Sequence, residues 1–120
     1  MTTASGHTSA ISATKVIGTP VRDLSGRKIG HIEDIVLDKL SNNVLFAVVG
    51  FGGFLDIAEK FHPLPWGALD YRPDDGSYIV PFTREQLEAA PADSLEALTE
   101  GDAMAYRNRA VDYYYSPGRL

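Results

Sequence analysis

The chain has 120 residues, 44% hydrophobic and 22% charged, with 16 acidic against 11 basic side chains for a net charge of −5. That length fits one domain with short extensions, and the acidic balance argues against direct contact with nucleic-acid phosphates. There is no cysteine, so disulfides and thiolate metal sites are excluded. No run of about 18 apolar residues suggests a membrane span.

In chain order, residues 1–14 are rich in Ser, Thr, Ala and Gly and read as a flexible N-terminal segment. They lack the basic and apolar blocks of a secretory signal, so a cytoplasmic location is expected. Residues 15–82 are dense in Val, Ile, Phe and turn pairs and read as all-β. Val16–Asp23 suggests a short strand at a sheet edge, interrupted by Gly18 and Pro20. Ser25–Gly26 then marks a tight turn.

The stretch DLSGRKIGHIEDIVLD, Asp23–Asp38, supports two readings. Ile29, Ile32, Val36 and Leu40 match a helical spacing. Gly26, Gly30 and the β-branched residues favour a strand with a bulge near Gly30–His31, which is the reading adopted. In that strand His31 and Glu33 share one face while Asp34 points to the other. Asp38 falls about 13 Å from Asp34 at strand rise, so these groups are expected to form a solvated face and no metal site.

Val44–Phe51 is an apolar, β-branched run expected to be a buried strand, preceded by a turn at Asn42–Asn43. Gly52–Gly53 suits a type I′ hairpin leading into a strand over Phe54–Phe61. The GFGGF sequence, Gly50–Phe54, lacks the Gly-Lys-Ser/Thr ending of a phosphate loop, so the hairpin is preferred. His62 precedes PLPW, and the prolines suggest an edge strand with Trp66 half-buried, although a small-ligand site there is an alternative. Asp74–Asp75–Gly76 forms a further turn before SYIVPF. Short strands with regular turns suggest a small barrel or sandwich.

Residues 83–120 read as a helical C-terminal extension. Thr83 and Gln86 form a capping-box pattern for a helix ending before Pro91. Ser94 suits the cap of a second helix closed by Gly101, and Asp102 that of a third with Ala103, Tyr106, Ala110 and Tyr113 on one face. Tyr and Arg are enriched where proteins meet. Tyr106, Arg107, Arg109, Tyr113, Tyr114 and Tyr115, with Trp66, are therefore candidate interface residues. Folding of this extension onto its own chain and docking on another chain are both open. There is no nucleophile elbow, cysteine nucleophile or convergent acid–base set, so neither an enzyme nor a resident cofactor is expected.

The order IGTPVRDLSGRKIGHIEDIVLD, VLFAVVGFGGFLDIAEKFHPLPWGAL and YIVPFTREQLEAAP resembles the PRC-barrel family. That family takes its name from the cytoplasmic domain of the photosynthetic reaction-centre H subunit, and it includes the C-terminal domain of a bacterial ribosome-maturation factor. The matching positions are Gly18, Val21, Asp23 and Gly26, then Gly30, Ile32 and Asp34, then Gly53–Leu55 and Pro63–Trp66, over roughly residues 15–91. The resemblance implies a mainly β fold, a small barrel followed here by short helices. It also implies a non-enzymatic role in protein–protein contacts, with a partner at the cytoplasmic face of a membrane complex as one possibility. An accessory role in ribosome or RNA maturation and a ligand- or metal-binding regulator are the alternatives. A homodimer is expected, with the tail contributing to its interface, because a barrel of about seventy residues buries little of its own surface.

Overall fold

The computed structural model describes residues 9–51 and 60–115. A six-stranded mixed sheet has the order β4-β3-β2-β1-β6-β5. Its strands are β1 (Pro20–Arg22), β2 (Lys28–Leu37), β3 (Val44–Phe51), β4 (Phe61–Leu64), β5 (Asp70–Arg72) and β6 (Ser77–Ile79). Only β1 and β6 pair in parallel; the other neighbours are antiparallel. A helical turn α1 (Ala13–Val16) precedes the sheet, and α2 (Arg84–Glu88), α3 (Leu95–Glu100) and α4 (Ala103–Tyr115) follow it.

The 28–37 stretch is a strand, as its composition requires, but the bulges fall to either side of the expected place. Against β1 the register skips Ile29, and against β3 it skips Glu33. Each extra residue reverses the alternation of faces. Ile29, Ile32 and Ile35 consequently all meet one core cluster, while Leu40, the last residue of the helix-like set, is exposed. Val36 faces the other side, with Phe46, Val48 and Leu98.

Local turn chemistry follows the sequence closely. Gly26, Asn42 and Gly76 all have positive φ, at 90°, 66° and 69°. The Asp23 carboxylate accepts from the Ser25 and Arg27 N–H groups and from the Ser25 hydroxyl, which fixes the first turn. The Thr83–Gln86 capping box is present in both directions, and Ser94 caps α3. The Gly52–Gly53 turn and most of the Phe54–Phe61 strand lie outside the described residues; Phe61 itself opens β4.

Two expectations need correction. Val16 is not in a strand but ends α1, whose four residues close over the sheet with Val16 in the core. Thr19 donates from its hydroxyl to Lys15 O at 2.9 Å and ties that turn to the entry of β1. Second, β1 is not at an edge of the sheet but lies between β2 and β6; the described residues form an open sheet whose edges are β4 and β5. The outer side of β4 is occupied by Asp93, which exchanges backbone hydrogen bonds of 2.8 and 2.9 Å with Phe61. Pro63, having no N–H, ends the demand for a further strand there.

Both faces of the β2–β3 region are covered. One carries the larger cluster with β1, β6, α2 and the end of α4; the other carries Val36, Phe46 and Val48 beneath α3 and the start of α4.

Candidate interaction surface

The tail helix is built from local signals. The Asp102 carboxylate accepts from the Ala105 N–H at 3.2 Å, and α4 then runs thirteen residues along β4 and β3. Its inner side carries Ala103, Tyr106, Ala110, Tyr113 and Tyr114. The Tyr106 hydroxyl donates to the Asp93 carboxylate. That bond, together with the Ser94 N–H, holds the Asp93 carboxyl below its ordinary range. The Tyr113 hydroxyl donates to Gln86 O at 2.7 Å, joining α4 to α2. Tyr114 is only 2% exposed and lies 4.6 Å from the Phe82 ring, and burial pushes its hydroxyl well above the usual tyrosine range.

The candidate interface residues therefore separate into three groups. Tyr106, Tyr113 and Tyr114 are spent on the chain's own core, and Arg109 lies over the Tyr106 ring at 5.0 Å. Arg107 and Tyr115 point away from the sheet, Tyr115 being 47% exposed. Trp66 is half-buried in a short 3-10 helix, Trp66–Ala68, and packs against the larger core cluster. Its ring meets Tyr78 at 5.9 Å, and Tyr78 meets Tyr71 at 5.1 Å, giving a three-ring ladder that ends at the β5 edge.

Two exposed residues were not singled out from sequence. Met104, 44% exposed, shares the outer face of α4 with Asn108 and Tyr115, a spacing of four and seven that a helical wheel would have shown. Tyr71, 46% exposed, lies on an edge that only the strand order reveals.

The carboxylates of the 31–38 stretch do not converge. His31 Nε2 and Glu33 Oε1 pair at 3.0 Å, with both side chains partly open to solvent. Asp34 accepts from the Ile35 N–H, and Asp38 accepts from the Leu40 N–H and the Ser41 hydroxyl, which lower its pKa. Among the described residues no three His, Asp or Glu side chains come together as a metal site would require.

His62 is a core residue. It is 7% exposed, packs on the Phe51 ring at 5.0 Å and donates from Nδ1 to Pro91 O at 3.1 Å, fastening the 91–93 crossing to β4. Burial holds its pKa below the ordinary 6.5, outweighing the Pro91 bond and the Glu88 charge that act the other way. The unfolded chain takes up the proton near pH 6.5 while the folded chain resists it. Stability from this group is complete above that pH and falls as the pH drops below it. The urea midpoint of the wild type should decline across that window, with a smaller decline in His62→Gln. Equal declines would show that His62 does not titrate differently on folding.

The architecture defines a mainly β domain of mixed sheet with C-terminal helices. A family model described as the PRC-barrel domain matches residues 9–87. The chain belongs to the PRC-barrel domain family. No curated protein matches the chain. Among the described residues no helix is long and apolar enough to cross a membrane.

Proposed function

We propose that this chain is a non-enzymatic protein–protein interaction module of the PRC-barrel type. In this reading it is cytoplasmic and homodimeric, and it offers the outer face of α4 to a partner protein. The carrying observation is the division of α4. One side is consumed by the sheet, while the opposite side leaves Met104 and Tyr115 nearly half exposed beside Arg107. Exposed aromatic, methionine and arginine side chains on a rigid helix are the composition of a contact surface. Exposed Arg107 and Arg109 suit a partner whose apolar contact is rimmed by acidic groups.

Truncating the tail would remove part of the core, so point variants are the appropriate test. Chemical cross-linking in the native host, read by mass spectrometry, should join α4 to one defined partner. The Met104→Glu/Tyr115→Glu variant should lose that cross-link while melting at the wild-type temperature. A cross-link that survives the double variant would remove α4 from the role. Sedimentation equilibrium of the full chain should show a dimer at high concentration, and a monomer throughout would overturn self-association.

A further inference from the structure

Among the described residues the β5 edge is open: Asp70, Tyr71 and Arg72 are all exposed, and β6 is the only described strand that pairs with β5. The direction of its backbone groups follows from its neighbours. Val80 N–H donates to Arg22 O at 3.0 Å, so along β6 the groups of Tyr78 and Val80 turn toward β1. Those of Ser77 and Ile79 turn toward β5, where they meet Arg72 and Asp70. The N–H and C=O of Tyr71 are therefore left pointing outward from the sheet.

An outward-facing residue flanked by Asp70 and Arg72 is complementary to itself. If two such strands pair antiparallel about Tyr71, the two Tyr71 residues exchange both N–H···O bonds. Each Asp70 then lies directly opposite the Arg72 of the other copy, giving two cross-strand pairs of opposite charge. On the ring side, the Trp66–Tyr78–Tyr71 ladder continues into its twofold image. Protected edges usually carry charges that repel a second strand, whereas these attract one.

Given the self-association proposed above, we infer that a second copy of this chain docks on β5, joining two six-stranded sheets through an antiparallel Tyr71–Tyr71 pairing. β5 lies at the opposite edge from β4, along which α4 runs, so this dimer leaves both α4 outer faces free for partners. Pro73 follows β5 at once and limits the pairing to three residues. The contact buries less than the ~1,000 Å² of a durable interface, so association is weak and reversible.

Charge reversal gives a test that a structural role cannot imitate. Asp70→Arg places two arginines opposite two arginines in the dimer, and Arg72→Asp places aspartates opposite aspartates. Each variant alone should dimerise about tenfold or more weakly than wild type in sedimentation equilibrium up to on the order of 1 mM. Their equimolar mixture should recover wild-type association, because every cross-strand pair is again Arg against Asp. Circular dichroism melts should match wild type throughout. If wild type dimerises and the single variants do so equally, the dimer stands but another surface makes it. A mixture that stays monomeric rejects the β5 pairing, and a monomeric wild type rejects self-association itself.

Discussion

Gly30→Ala is expected to destabilise the domain by about 3 kcal/mol, near the upper end of what overpacking a tight site costs. A Cβ at this position would lie 2.2 Å from Gly50 O and 2.8 Å from Phe51 Cδ1. The first of these atoms is backbone and belongs to the β2–β3 pairing, the longest ladder in the sheet. It cannot retreat without opening that ladder, so the strain is not relieved by a side-chain rotation. The close approach sits just where β2 passes between its two bulges, which presses the strands together locally. The measurement is the urea midpoint at unchanged slope, with Gly67→Ala as the control. A Cβ at Gly67 meets nothing within 4 Å, so that control should move by no more than about 0.5 kcal/mol. Equal midpoints for Gly30→Ala and wild type would mean that the two strands do not approach as closely as this register requires.

Features settled by a few neighbouring residues were legible in the sequence. The caps at Thr83, Ser94 and Asp102 and the positive-φ turns at Gly26, Asn42 and Gly76 depend on local backbone chemistry, and all stand where the sequence places them. Features that depend on distant partners were not. α1 has four residues and no periodicity; it is held by Val16 entering the core and by Thr19 bonding back to Lys15. The bulges at Ile29 and Glu33 are set by β1 and β3, so the sequence indicates broken alternation without locating it. Tyr114 reads with Tyr113 and Tyr115 as part of a contact surface because Tyr and Arg are enriched where proteins meet. α4 instead reaches clusters on both faces of the sheet, so its buried arc is wider than one stripe and takes in Tyr114. The same width is why the surface left over is Met104, Arg107 and Tyr115 and not the tyrosine cluster.

Phe46→Ala carries the other large expected effect, about 3–5 kcal/mol of lost stability. Phe46 is fully buried with Val36, Val48 and Leu98, and partly buried Leu95, Ala103 and Tyr106 pack against that group. It is the sheet's side of the contact that seats α3 and the first turns of α4. Removing the ring leaves a cavity under the helices while the cluster on the other face, with Ala110 and Tyr114, is untouched. Hydrogen exchange should therefore show the largest loss of amide protection across residues 95–108, with β1 and β6 the least affected. The functional consequence is specific. Under conditions where the variant remains folded, α4 should lose its cross-link to a partner, because Met104 and Tyr115 are no longer held on a fixed helix. Self-association through β5 should stay within about threefold of wild type, since the changed site belongs to the opposite part of the sheet and distant sites are nearly additive. Uniform loss of protection over the whole chain would instead show that the tail and the sheet open as one unit.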